Sequence, residues 1–385
     1  MSGSKTGLER LREKIREWSE EIGPITPRME RDPGALEEFC DAAVFRYQAQ
    51  LAIPPEYRVS DDTGMAPVPG EGMTVQRVVM AEEISAVDPA IVLAAPGPSL
   101  SGGAIEAMAD PDQKKWFYSR LQERPTWTFF GLTEPKHGSD AMGLETTLTP
   151  SGDGHLELSG TKRYVGNAAR ADVGVVFART RPGPLGVMAV MVDTADPGFK
   201  ATPLPTLGMR GNQICAIEMD RVRIPPENVL GRHLPASRRG IWGALQSLSA
   251  FRPGMAGMAV GIARAAHDYL LRHRGELAAG GMERVREIGR RIEAGRALAL
   301  HAARAADARS ESAGYLASAA KYRTSRLAED VTREAIALLG PGARLDHPDL
   351  DRYARDARAV EFMEGTRNVH RLNLFQGIVQ RKLSG

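Results

Sequence analysis

Leu8, Leu11, Ile15 and Trp18 recur at spacings of three and four among charged residues, which predicts an amphipathic helix near the start of the chain. Helical periodicity continues to about residue 52, broken at Pro24, Pro27 and Pro33 and restarting with the run at 35–39. Residues 54–72 are rich in Pro, Gly and Asp and predict a loop. Helical patterns return over 73–84 and 113–121. The period then changes at about Pro125. A β-prone run covers 126–130, and short alternating segments follow at 145–149, 156–159, 173–178, 187–192 and 214–224. Turn clusters separate them, such as Ser151-Gly152-Asp153-Gly154 and Arg181-Pro182-Gly183-Pro184, and Pro225-Pro226 ends the last one. After Gly231 and the basic pair Arg238-Arg239, the helical period resumes over 241–273, 283–308, 310–339 and 366–382. The first of these carries a face of small and flexible residues (Met255, Ala256, Met258, Ala259, Gly261) suited to close helix approach.

The pattern predicts an α+β chain in three parts: an N-terminal α-helical domain at 1–124, a middle antiparallel β domain (a sheet pair or barrel) at 125–233, and a C-terminal four-helix bundle at 234–385. With 385 residues, 42% hydrophobic and 25% charged, the chain has the size and composition for substantial soluble cores. A net charge of +2 without a long Lys/Arg cluster argues against nucleic-acid and polybasic membrane surfaces. The first residues are charged and mixed, and no run of about 18 apolar residues occurs, so a cytoplasmic protein without a membrane span is expected. Cys40 and Cys215 are expected to be small core residues rather than a disulfide framework. None of the eight histidines forms a His-x-x-x-His, and no Cys-x-x-Cys occurs, so no protein-built metal site is expected.

Candidate chemistry concentrates in Arg355-Asp356-Ala357-Arg358-Ala359-Val360-Glu361-Phe362-Met363-Glu364-Gly365-Thr366. Glu364 falls on an expected break between helices, with Gly365 giving backbone freedom and Thr366 able to cap the next helix. A carboxylate beside Phe362 and Met363 is placed to have a raised pKa and act as a base.

Five stretches in order resemble the acyl-CoA dehydrogenase family of flavoproteins. They are Phe130-Gly131-Leu132-Thr133-Glu134-Pro135-Lys136-His137-Gly138-Ser139-Asp140; Leu158 to Asn167 around Gly160-Thr161-Lys162-Arg163-Tyr164; Met219 to Pro225 with Leu230-Gly231; Arg252-Pro253 with Ala259-Val260-Gly261-Ile262-Ala263; and Arg355-Asp356-Ala357 through Glu364-Gly365-Thr366. The resemblance implies FAD as cofactor, with its ring accepting a hydride that no side chain can take. It implies Glu364 as the base for the α-proton of an acyl thioester, the acyl group carried by CoA or by an acyl carrier protein, with the Glu364 N–H as one donor to the enolate oxygen.

It further places Phe130, Leu132, Thr133, Ser139, Tyr164, Gly166 and Thr366 at the cofactor. Leu132 and Thr133 would meet the pyrimidine edge, Tyr164 the ring, and Ser139 the flavin phosphate or the pantetheine arm. Ser139, Arg252, Met363 and Gly365 are expected at the substrate. For Thr133 and Ser139 a capped turn is the alternative, for Thr366 a helix N-cap, and for Arg252 a structural role. Tyr164 stands where the family has tryptophan, and Gly166 where it has threonine. The family's Arg-x-x-Phe-Gly is missing from 272–280, and its Gln before Gly-Gly-x-Gly is Ala337; both losses fall on the ADP half of FAD, where Arg272 or Arg274 is a substitute contact. A homodimer or homotetramer and an electron-transfer flavoprotein are the implied partners. A flavin oxidase or monooxygenase on the same fold, and a non-catalytic member with weakened FAD binding, are the alternative functions.

Overall fold

The computed structural model describes residues 5–58, 66–277 and 280–383. The chain opens with α1 (Gly7–Ile22), whose Thr6–Glu9 capping box supplies two of the orphan N-terminal bonds and whose Leu11, Ile15 and Trp18 are buried as their spacing predicts. Next come α2 (Thr26–Met29), a 3-10 turn over Pro33–Phe39 and α3 (Ala43–Ala52). The loop expected at 54–72 contains a 3-10 turn at Pro55–Tyr57, and its stretch 59–65 lies outside the described residues. Then follow α4 (Met73–Ser85), α5 (Pro89–Ala94), α6 (Ser99–Met108) and α7 (Pro111–Glu123).

The strands are β1 (Thr128–Gly131), β2 (Thr147–Pro150), β3 (Leu156–Gly166), β4 (Val173–Arg179), β5 (Val187–Asp193), β6 (Phe199–Pro203), β7 (Ile214–Ile224) and β8 (Val229–Leu230). They form one sheet in the order β6-β7-β3-β2-β4-β5-β8, with β1 on β4. The sheet is mainly antiparallel, as expected, and β1 and β2 each add a parallel pairing with β4. β4 and β5 are buried on both faces, which is why they read as unbroken apolar runs. Val173, Val175 and Phe177 face Ile105, Met108 and Phe117 of α6 and α7, while Val176 and Ala178 face Leu158 and Ile217 of β3 and β7.

The C-terminal helices are α8 (Ile241–Arg272), α9 (Gly281–Asp307), α10 (Ala313–Leu339), α11 (Ala343–Asp346), α12 (Pro348–Val360) and α13 (Arg367–Leu383). α8, α9, α10 and α12 share one hydrophobic core with α1, α3, α4 and α5. Close approach of α8 to α4 is achieved by glycine: a Cβ at Gly257 would lie 2.6 Å from the Val78 carbonyl oxygen, and one at Gly261 only 2.4 Å from that of Glu82. At the same crossing, Glu83 is buried between Arg12 (2.7 Å) and Arg264 (2.7 Å), and Glu82 pairs with Arg296 (2.7 Å). Burial pushes the Glu83 carboxyl up, and the two arginines more than offset this, holding it at about 2. No described helix is long and apolar enough to cross a membrane.

Candidate active site

α12 stops at Val360 and α13 starts at Arg367, so Glu364 does stand on a break between helices. Its φ is 47° and that of Gly365 is 106°. A glutamate in the left-handed region costs about 1–3 kcal/mol, which the surrounding contacts must hold. Three do so. The Arg252 guanidinium Nε donates to the Glu364 carbonyl at 3.2 Å. Lys321 of α10, fully buried, donates from Nζ to the carbonyls of Glu361 (3.0 Å) and Gly365 (3.1 Å), on either side of Glu364. The first amide of α13, on Arg367, donates to the Glu361 carboxylate at 2.8 Å, so that bond falls to Glu361, while Thr366 offers its carbonyl to His370 N–H at 3.1 Å.

Glu364 is partly exposed as a residue, yet its Oε2 is shielded from solvent and has no hydrogen-bond partner. Burial pushes its pKa up, against the pull of the nearby Lys321 and Arg252 cations. Burial in turn pulls Lys321 down to about 8. His370, buried beside Gly365, is held neutral by burial and these cations, at about 3. Among the described residues no backbone acceptor engages the Glu364 N–H.

The carboxyl faces a cavity of about 930 Å³ between the sheet and the helices, within the range of small-molecule sites. Its lining contains Phe130, Leu132, Thr133, Ser139, Tyr164, Gly166, Arg252, Met363, Glu364, Gly365 and Thr366, and does not contain Arg272 or Arg274, the substitute contacts suggested for the ADP half. Tyr164 offers a 63% exposed ring, and Leu132 is buried. Five of the eight described non-glycine residues with positive φ line this cavity: Ser99, Tyr164, Asn167, Met209 and Glu364. Backbone strain thus concentrates where chemistry is expected.

Two of the sequence motifs turn out to hold each other. Glu134 of Thr-Glu-Pro is buried and accepts from Thr146 N–H (2.9 Å) and from the fully buried Lys162 Nζ (2.8 Å). Lys162 also reaches the Leu132 carbonyl at 3.3 Å, and Arg163 N–H donates to the Thr133 carbonyl at 2.9 Å. The Leu132–Thr133 loop is therefore pinned to β3. The Arg-Asp-Ala segment pins a second loop. Asp356 accepts from Met209 N–H at 2.6 Å, and Arg355 donates to the Leu207 carbonyl at 2.7 Å, tying α12 to the loop before β7.

Sequence reasoning missed Lys321, His370 and Asn212. Asn212 lines the cavity with a buried, unpartnered Oδ1, and a Cβ at Gly166 would come within 3.0 Å of it. The Asn212 side chain thus crowds position 166, and a larger residue there would require it to shift. The flavin-ring half of FAD fits the exposed Tyr164 face, the pinned loop and the unpartnered acceptors at Asn212 and Glu364. In the segment where the ADP half was expected, His273 and Glu276 are hydrogen-bonded to each other at 2.7 Å, and Arg272 lies over the Tyr269 ring at 5.5 Å.

Comparison with known proteins identifies the family of the chain. Residues 129–222 match the acyl-CoA dehydrogenase middle domain and residues 238–379 the acyl-CoA dehydrogenase C-terminal domain. A probable short/branched chain specific acyl-CoA dehydrogenase of Dictyostelium discoideum is 30% identical over 316 residues, covering 79% of this chain and 75% of the relative. Butyryl-CoA dehydrogenase of Megasphaera elsdenii superposes with a TM-score of 0.83 at 25% identity, covering 98% of this chain and 100% of its own. The prolyl acyl carrier protein oxidase AnaB shares the fold, with a TM-score of 0.81 at 20% identity over 98% of this chain and all (100%) of its own. The chain belongs to the acyl-CoA dehydrogenase family and is an oxidoreductase acting on CH–CH bonds.

Proposed function

We propose that the protein carries out α,β-dehydrogenation of an acyl thioester with FAD, Glu364 removing the α-proton. The observation that carries this reading is the Glu364 carboxyl itself. It is held in a strained turn, shielded, without a partner, facing the cavity, and raised in pKa by burial. A carboxylate left unpaired in the free protein is available to a proton on a ligand. Leu132, Thr133, Ser139 and Tyr164 would hold the flavin ring and its phosphate arm, with Phe130 and Gly166 beside them and Thr366 toward the adenine end.

When bound, FAD supplies the acceptor for the β-hydride. Everything else falls to the chain. Arg252 and Lys321 fix the Glu364 backbone, so its carboxyl is aimed before the substrate arrives. The Glu364 N–H is free to donate to the thioester oxygen as charge develops there. The α-proton passes to the Glu364 carboxylate, and the apolar lining, Met363 and Phe251 included, excludes water from the reacting carbons. Lys136, Arg163 and Arg358 contribute positive charge to the lining, which suits the phosphate of a CoA or a carrier-protein arm alike.

Assembly of identical copies is part of the reading. Leu372, Phe375, Ile378 and Val379 form an exposed apolar stripe on α13, between 38% and 65% exposed, of the kind a homo-oligomer covers.

The test is anaerobic bleaching of the flavin band of FAD-loaded protein by a panel of acyl-CoA and acyl-carrier-protein thioesters. Glu364→Gln keeps FAD and ligand binding and lowers turnover by about 10²–10⁴. Failure of every thioester to bleach bound flavin, or a fully active Gln variant, would sink the assignment.

A further inference from the structure

A second group of ligand-type side chains sits at the far end of α8, and none of its members lines the cavity. His273 follows the last residue of α8, and Glu276 closes the 3-10 turn Arg274–Glu276. His347 comes from a distant segment, the junction of α11 and α12. The two oxygens of Glu276 address the two rings separately: Oε1 is 2.7 Å from His273 Nδ1 and Oε2 is 3.4 Å from His347 Nε2. All three ligand atoms lie within 4.8 Å of one another, a convergence found nowhere else among the described residues.

We propose that His273, Glu276 and His347 form a divalent-cation site of the zinc class, which clamps the end of α8 to the start of α12. Two imidazoles and a carboxylate are a donor set that zinc accepts while keeping a fourth position for water. Ligand bonds of roughly 2.0–2.1 Å place the corners of a tetrahedron about 3.3 Å apart; the Glu276 carboxylate, 2.7 Å from one imidazole nitrogen through one oxygen and 3.4 Å from the other through its second, with all three ligand atoms inside 4.8 Å, lies close to that spacing.

Orientation supports the assignment independently. The Tyr269 hydroxyl lies 3.0 Å from His347 Nδ1, which leaves Nε2 as the ligand atom; an outer partner on the other ring nitrogen is the usual companion of a metal-bound histidine. The same tyrosine stacks on His273 at 4.3 Å and 15°, and meets His347 edge-on at 5.6 Å and 86°. One buried ring therefore aims both imidazoles. His347 is buried, His273 half-buried and Glu276 exposed, so the cluster is anchored inside and open to ion entry from outside. Local spacing argued against a metal site in the sequence because it cannot connect His347 with His273 and Glu276.

The experiment uses the full-length protein, stripped with a chelator and dialysed. Calorimetric titration with Zn²⁺ is expected to show one ion per chain, and Zn²⁺ to raise the melting temperature. Co²⁺ is expected to give the intense visible band of a tetrahedral site, to the red of flavin absorption. His347→Ala and Glu276→Gln each weaken Zn²⁺ binding by at least about 100-fold, more than loss of an outer partner does. Glu276 is exposed, so the Gln variant remains decisive if His347→Ala fails to fold. Absence of saturable binding at one ion per chain, or binding that survives both substitutions, overturns the site. None of these readouts depends on dehydrogenase activity.

Discussion

At the scale of single residues, the sharpest question is what Lys321 does for Glu364. A fully buried lysine that donates to two carbonyls, rather than pairing closely with a carboxylate, is an expensive way to shape a turn. Its charge also favours the ionised form of Glu364, against burial, which is the larger effect. Lys321→Met is expected to have two separable consequences. Two buried carbonyls lose their donor, at about 1–3 kcal/mol each, and the melting temperature falls. The acid limb of the kcat/KM–pH profile also moves to higher pH, because Glu364 holds its proton longer without the cation. A variant with lowered stability and an unmoved acid limb would show that Lys321 only props the turn. Glu364 itself was legible because Glu-Gly-Thr follows Arg-Asp-Ala at a recognisable spacing. Lys321 was not: nothing near it in the chain marks it, and its partners lie forty and forty-four residues away. Asn212 was hidden for a similar reason. The sequence showed a missing threonine at 166 but could not show which side chain crowds that position.

Among elements, legibility followed how each one is buried. Helices with one apolar stripe, such as α1, and strands buried on both faces, such as β4 and β5, were read directly. α5, α6 and β6 were not. α5 is six residues long, α6 carries Gly102 and Gly103 inside it, and β6 shows no buried position along its length. Short length, poor helix propensity and an exposed edge each erase the periodic signal. The small-residue face of α8 was legible, and the structure gives it a purpose: Gly257 and Gly261 let α8 approach the α4 backbone. A methyl group at Gly261 would stand 2.4 Å from the Glu82 carbonyl oxygen, and backbone cannot yield as a flexible side chain can. Gly261→Ala is therefore expected to destabilise the protein by about 1–3 kcal/mol despite its better helix propensity. Thermal or denaturant unfolding measures this, and an unchanged or raised midpoint would contradict the close packing of the two helices.

For the whole molecule, two buried charge clusters join the parts of the fold and respond to pH in opposite directions. Glu83, between α1, α4 and α8, has a folded pKa of about 2, below its ordinary 4.5. The unfolded chain binds more protons across that interval, so the stability from this cluster is full above about 4.5 and is lost as pH falls toward 2. Asp356 behaves in reverse. It shares one guanidinium, that of Arg352, with Asp88 at 3.7 Å each, joining α12 to the segment before α5. Burial, then the Asp88 charge, pushes Asp356 up to about 7, from an ordinary 3.8. Two buried carboxyls facing one cation keep a proton between them. Here the folded state binds more protons between about 4 and 7, so this cluster loses stability as pH rises through that range and gains it as pH falls. His370 adds a third contribution: the fold keeps its imidazole neutral down to about 3, so stability falls as pH drops below its ordinary 6.5. The sum of all three predicts a melting temperature that peaks in the weakly acidic range, about pH 5 to 6, rather than at neutrality. Asp356→Asn retains an acceptor for the Met209 N–H while removing the titration. It is expected to flatten the decline between pH 5 and 8 and to leave the acid-side loss near pH 3 in place. A variant whose melting profile still declines toward neutrality would place the responsible group elsewhere. If the acid-side loss vanished as well, the two clusters would be acting as one, and the separation of the α4–α8 crossing from the α12 contact would fail with it.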